Sequence, residues 1–321
     1  ACGFRFYGGN TTPVNDRDEP LTFSDLAGSG GFLRLGILRM DLDNLGNIFQ
    51  QGFLRESPDG NKIMDHTARY SISRLSNLSS LLDLFFTGYI NTLCREKFNG
   101  QILIIYSGGD DLFLVGYWET VVNVARDIRR DFQAFTGQHP CFTISGGVAL
   151  APGKFPIHRG ADLAGEAEEQ AKNLDENKNA FSFMDKAVRW PDFMELEALK
   201  NEILTLTEDL DSMALISRLR RICWTYQEEK HRLDQQTLSP QDREEMINFN
   251  KWRWRMVYSL SRLTKKEKPA LAERLEALKR RLTERLPSGN TIISALDIPV
   301  RWAEFTLRSE TNQEEPAHDT L

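Results

Sequence analysis

Residues 106–111 read Tyr-Ser-Gly-Gly-Asp-Asp, set between QILIIY (101–106) and LFLVGY (112–117). Two short apolar runs around a Gly-Gly turn predict a β-hairpin with a pair of carboxylates at its tip. The glycines suit a turn that needs positive φ, and they leave bare backbone for a ligand to approach.

Working outward, Phe32–Met40 (FLRLGILRM) predicts a buried strand that ends at Asp41-Leu42-Asp43-Asn44. Arg69–Phe98 carries apolar residues at near-helical spacing, from Ile72 through Leu82, Phe85 and Phe86 to Leu93. Glu119–Phe135 and Ile157–Leu174 predict helices, and Cys141–Leu150 and Ala180–Met184 predict strands. The order β-α-β-β-α-β-α-β contains the split βαβ of a ferredoxin-like palm. Beyond about residue 190 strand signals stop. Helical patterns fill about 193–210, 212–231, 240–263, 267–286 and 290–308, with Pro240, Pro269 and Pro287 near the breaks. The expected architecture is α+β: lead-in strands over 1–30, a palm over 31–190, an all-α domain over 191–309 and a disordered tail over 310–321. Residues 54–66 read as a polar loop.

In such a sheet the first strand neighbours the hairpin, which brings Asp41 beside Asp110. Clustered carboxylates repel unless cations relieve them. Two Mg2+ or Mn2+ ions do so, and they also organise in-line phosphoryl transfer. Asp41 and Asp110 are the main candidate ligands, with Leu42, Asp43 and Asp111 beside them. The candidate catalytic residues are Asp41, Asp110 and Asp111. A Gly-Gly-Asp-Asp turn alone also suits a solvated loop. The two buried-type strands and the second acidic strand end argue for a site.

Composition sets limits. A net charge of −6 excludes a bulk nucleic-acid-binding chain. Four scattered cysteines with no C-x-x-C pair argue against a zinc site and a disulfide framework, and fit a reducing, cytoplasmic setting. No apolar run predicts a membrane span. Opening at Ala1 on a strand-like Cys2–Tyr7, the chain reads as a fragment or a split subunit.

LRMDLDNLG (38–46), SRLSNLS (73–79), YSGGDDLFLV (106–115), TISGG (143–147), and Ala171-Lys172 with Lys178 together resemble the large polymerase-cyclase subunit of type III-A CRISPR (Csm) effector complexes. The match covers about 32–184, the second palm of that subunit. The helical part matches in position and character only. The palm is also related to GGDEF cyclases. The resemblance implies condensation of ATP into 3′–5′ cyclic oligoadenylates when target RNA is bound. It implies metal on the hairpin and on the strand-end Asp. A triphosphate would meet Asn44, Leu45 and Gly46 at a helix N-terminus, the turn residues Ser107, Gly108 and Gly109, and the cations Lys172 and Lys178. The guanine-reading Asn of diguanylate cyclases falls near Phe49, which favours adenine.

The family's HD nuclease motif and first palm are not matched, since Asp65-His66 is in the wrong order and the five histidines are scattered. The expectation is therefore no DNase activity in this chain and a composite site that needs a first palm, fused or separate. Expected partners are that palm, a small helical subunit docking on the helical domain, the other effector subunits, and crRNA and target RNA through the complex, with no membrane. A decayed scaffold palm and a GGDEF-type dinucleotide cyclase are the competing readings.

Overall fold

The computed structural model describes residues 9, 12–28, 32–51, 55–56, 62–63, 71–98, 101–235, 239, 241–242, 246, 251–265 and 267–311. The chain divides into two units, Ala1–Ser29 with Leu33–Ala187, and Gly30–Phe32 with Val188–Leu321.

The first unit is built on one sheet. Its strands are β1 (Leu35–Leu42), β4 (Ile102–Gly108), β5 (Asp111–Tyr117), β6 (Ile144–Ala151), β7 (Ala180–Phe183) and β8 (Lys186–Arg189), in the order β4-β5-β1-β6-β7-β8. A separate two-residue ladder, β2 (Arg55–Glu56) with β3 (Lys62–Ile63), lies where a plain loop is expected. β1 runs antiparallel to both β5 and β6, and β6 is parallel to β7. Strands β4, β5, β1 and β6 therefore form the ferredoxin-like split βαβ that the sequence predicts. Strand β8 has no counterpart in the sequence reading, because Lys186-Ala187-Val188-Arg189 is too short and polar to announce a strand.

Over Leu35–Leu38 β1 is apolar and buried on both sides, as a central strand covered on two faces must be. Helix α5 (Trp118–Phe135) covers one face and α6 (Ile157–Lys172) the other. The approach of α6 is close: a Cβ built on Gly147 of β6 would lie 2.4 Å from Ala167 C and Glu168 N. Glycine there lets the helix backbone rest on the strand.

Instead of further lead-in strands, residues Phe23–Leu26 form a helical turn, α1. Thr22 and Asp25 close it in a reciprocal capping box. Leu26 and Ala27 bury against Leu35, Ile37, Val115 and Ala164.

The long helical stretch after residue 71 is α3 (Ile72–Asp83), a π-helical turn (Leu84–Tyr89) and α4 (Ile90–Lys97). Phe85 and Phe86 of the π-turn pack with Phe132 of α5.

The second unit is helical among the described residues: α7 (Trp190–Asp209), α8 (Ala214–Asp234), α9 (Lys251–Thr264), α10 (Pro269–Arg281) and α11 (Asp297–Thr311), with a 3-10 turn at Ile292–Ala295. Phe193 stacks on Trp302 at 5.5 Å, and Lys200 Nζ sits 4.8 Å from the Trp302 ring centre. Glu304 is buried and binds Arg220 and Arg308 at 3.0 and 2.5 Å. The expected strand at Cys2–Tyr7, the break at Pro240 and the tail from residue 312 lie outside the described residues.

Candidate active site

Strand pairing assembles the site. Asp41 is the register partner of Asp111 on β5, and Leu42 N–H donates to the Asp110 carbonyl at 2.9 Å. Directly opposed residues of an antiparallel pair share a face. Arg39 and Asp41 of β1, Asp111 of β5 and Gly147 of β6 therefore stand on the face that α6 covers. Gly109 at the turn has φ +69°, and open space surrounds it.

Helix α6 brings its last turn to this face. Lys172 Nζ bonds to Asp41 Oδ2 and also to Glu168 Oε1, the latter at 2.7 Å. Glu168 Oε2 in turn lies 3.4 Å from Arg39 Nε. Burial pulls the Lys172 ammonium down, but the bonds to Asp41 and Glu168 outweigh it and leave its pKa above the ordinary value. Burial raises Asp110, and the Asp41 charge adds to this, against the pull of Lys172. Burial also raises Asp111. Arg39 lowers it, while Asp41, Glu168 and Asp110 push it further up.

Asp43 is placed differently from Asp41. It has no exposed surface, and its Oδ2 accepts from Thr143 Oγ1 (2.9 Å), Ser145 Oγ (3.0 Å) and Asn179 N (3.1 Å). Burial raises its pKa, opposed by these bonds and by the Lys178 charge. Lys178, at φ +51°, is thus placed beside Asp43. Leu42 is buried at the strand end. Asn44, at φ +57°, turns the chain into the seven-residue helix α2 (Leu45–Gln51), with Asn44 and Gly46 exposed and Leu45 half-buried.

Ser107 is turned inward. It is 3% exposed, and its hydroxyl donates to the Phe86 carbonyl at 2.5 Å. A π-turn leaves carbonyls outside the regular ladder, and here one anchors the strand that leads into the hairpin. Gly108 accepts from the Tyr106 hydroxyl at 3.1 Å.

Sequence reasoning did not single out Arg39 or Glu168. Arg39 lies two residues before Asp41, and Glu168 four before Lys172, so strand and helix periodicity contained the signal. Thr143, Ser145 and Asn179 around Asp43 were likewise not singled out for that role.

Among the described residues, no three Asp, Glu, His or Cys side chains converge as a preformed metal cage. Magnesium is ordinarily held by one or two carboxylates completed by water and substrate phosphates. Asp41 and Asp110, coupled in charge and next to open space at Gly109, fit that mode. Four carboxyl groups, of Asp41, Asp110, Asp111 and Glu168, meet two cationic side chains, Arg39 and Lys172, and this surplus of acidic groups suits a divalent cation.

Comparison with known proteins agrees with this geometry. Residues 34–182 match the family described as Cas10/Cmr2, second palm domain. The CRISPR system single-strand-specific deoxyribonuclease Cas10/Csm1 (subtype III-A) of Methanocaldococcus jannaschii is 36% identical over 192 residues, covering 54% of this chain and 22% of the relative. The protein of the same name from Mycobacterium tuberculosis is 36% identical over 185 residues, with the same coverage. The chain thus spans about a fifth of the length of these relatives. Two solved structures share the fold at 22% identity. Csm1 of T. onnurineus superposes with a TM-score of 0.64, covering 95% of this chain and 42% of that one. A Csm1–Csm4 cassette in complex with cA4 gives 0.67, covering 95% and 41%. No described helix is long and apolar enough to cross a membrane. Residues 34–182 thus match the second palm domain of the Cas10/Cmr2 family, within a chain that resembles the type III-A CRISPR subunit Csm1.

Proposed function

We propose that this chain is the nucleotide-polymerising half of a type III CRISPR effector subunit, joining ATP 3′–5′ into cyclic oligoadenylates when the assembled complex holds target RNA. The observation that carries this reading is the junction of Asp41 with Asp110 and Asp111 beside the open Gly109 turn, with Lys172 at its rim. Solved relatives bind one ATP, and cA4, in Csm1–Csm4 cassettes, which supports an adenine nucleotide as substrate.

In this reading Asp41 and Asp110 hold Mg2+ or Mn2+, with Asp111 and the Leu42 backbone beside them. When bound, the ions supply charge neutralisation at the phosphates and activation of the attacking 3′-hydroxyl. The protein does the rest. The glycine turn admits the phosphates. Lys172 offers an ammonium to them. Asn44, Leu45 and Gly46 present backbone at the start of α2, and Gly108 and Gly109 present it at the turn. Ser107, through Phe86, holds the hairpin still, and Asp43 with Lys178 fixes the loop behind. Such positioning is most of what phosphoryl transfer asks of a protein.

The chain covers one palm, so the partners we propose are a first palm, a Csm4-like subunit as in the solved cassettes, a small helical subunit, and crRNA with target RNA. The deoxyribonuclease activity in the relatives' names is theirs; the proposal concerns the palm alone.

The test is incubation of the assembled complex with ATP, magnesium and cognate target RNA, comparing wild type with Asp110→Ala/Asp111→Ala. Oligoadenylate from wild type and none from the variant is expected. Equal yields would sink the reading, and absence of metal-dependent ATP binding in the full complex would leave a scaffold palm. Replacing ATP with GTP distinguishes a GGDEF-type cyclase.

A further inference from the structure

Lys172 is bonded to one oxygen of Asp41, the candidate metal ligand. Its ammonium is shared between Asp41 Oδ2, the candidate ligand, and Glu168 Oε1, one helical turn back. A divalent cation on the Asp41 carboxylate repels the ammonium beside it, so the two compete for Asp41. The other carboxylate decides where the lysine then goes.

Glu168 is built to receive it. Its side chain is only 11% exposed, and its second oxygen is steadied by Arg39 from β1. The backbone N of Glu168 sits directly over Gly147 of β6, where no larger residue fits, so this turn of α6 lies close against the sheet. A glutamate at such a helix position is ordinarily solvated and loosely paired with a Lys four residues on. Here both oxygens are engaged in a half-closed setting, where a charge-assisted bond has greater strength.

We propose that Glu168 is a positioning residue, the seat that draws Lys172 off Asp41 so that Asp41 is free for metal while the ammonium stays over the phosphate site. This rests on the two-metal reading above. In the cation-free protein Lys172 bridges the two carboxylates and offsets their charge. When a divalent ion binds Asp41, the lysine keeps its bond to Glu168, gives up the one to Asp41 and turns toward the incoming triphosphate. Without Glu168 the lysine belongs to Asp41 alone and competes with metal. Without Lys172 nothing competes. No bond is made or broken covalently; one ammonium exchanges partners.

The experiment is a double-mutant cycle read by Mn2+ binding, using isothermal titration of the full chain without nucleotide, on wild type, Glu168→Gln, Lys172→Met and the pair. Glu168→Gln is nearly isosteric, and thermal melts confirm that each variant folds. Glu168→Gln should weaken Mn2+ binding about tenfold, the scale of one charge-assisted hydrogen bond. Lys172→Met should tighten it, and in that background Glu168→Gln should change it about threefold or less, as expected for loss of a nearby charge alone. Glu168→Asp should recover part of the affinity. Equal weakening by Glu168→Gln in both backgrounds overturns the assignment, because a bare charge effect does not depend on Lys172. Looser binding in Lys172→Met overturns it too. Absence of Mn2+ binding by the wild type both without nucleotide and with a non-hydrolysable ATP analogue overturns the two-metal reading itself, and this inference with it, so the two failures are told apart.

Discussion

Asp41 of β1 faces Asp111 of β5 across an antiparallel ladder, while Asp43, two residues farther along, has no exposed surface and is held by Thr143, Ser145 and Asn179. Two aspartates of one strand end therefore have opposite energetics. Asp43→Ala leaves the buried Ser145 hydroxyl and the half-buried Thr143 hydroxyl and Asn179 N–H without their acceptor, and should cost about 3 kcal/mol of stability, at roughly 1 kcal/mol for each donor left without its partner. Asp41→Ala should cost much less than this in urea unfolding while still removing metal binding.

Burial, with the Asp41 charge, holds Asp110 above its ordinary value of 3.8, and burial with Asp41, Glu168 and Asp110 does the same for Asp111 against the pull of Arg39. A carboxyl raised in the fold contributes stability that is complete below the unfolded pKa and is lost as pH rises through the folded one. Ionising either group in the fold carries a cost, and a bound cation relieves it. The rise in melting temperature on adding Mg2+ should be larger at pH 8 than at pH 5. In Asp110→Asn the melting temperature without metal should match or exceed that of wild type, and the Mg2+-dependent rise should vanish.

Gly147→Ala places a methyl group against the backbone of Ala167 and Glu168. Neither can step aside as a flexible side chain would, so α6 must lift. Overpacking of this kind costs about 1–3 kcal/mol. The variant should melt lower and also bind ATP more weakly, because Lys172 travels with the helix. Unchanged melting would mean that the helix is less tightly seated than the contact implies.

Burial pushes the Cys94 thiol up to about 12, whereas Cys141 is exposed. At pH 8 Cys94 stays protonated and shielded, and thiolates are the reactive form. Labelling the native protein with a thiol reagent, followed by peptide mapping, should find Cys141 modified within minutes and Cys94 untouched until denaturant is added.

The parts legible in the sequence were those carried by contiguous pattern. QILIIY and LFLVGY each declare a buried strand, and the glycines between them declare the turn. Asp41 was found because it ends an apolar run. Pairings distant in sequence were harder. Nothing local shows that Asp41 takes the solvent-accessible place and Asp43 the sealed one, because the difference arises from Thr143, Ser145 and Asn179 arriving from elsewhere. Glu168 was hidden for the same reason: a helical glutamate reads as a solvated charge until Gly147 is seen to bring it against the sheet. The helical turn at Phe23–Leu26 did have a local signal, Thr22 three residues before Asp25, which alternating Leu21 and Phe23 obscured.

The π-turn at Leu84–Tyr89 also solves a problem of phase. Buried Leu82, Phe86, Ile90 and Cys94 recur every four residues. On a regular α-helix each step of four overshoots a full turn by about 40°, so such a stripe winds away from the surface it covers. A wider turn midway takes some of that rotation back and keeps the four side chains in line above the sheet. One residue deleted between 84 and 89 would restore a regular helix, swing the segment before it by about 100°, and withdraw the carbonyl that secures Ser107. The length of this rod, counted to the single residue, is thus a condition for a steady Gly-Gly-Asp-Asp hairpin on the neighbouring strand.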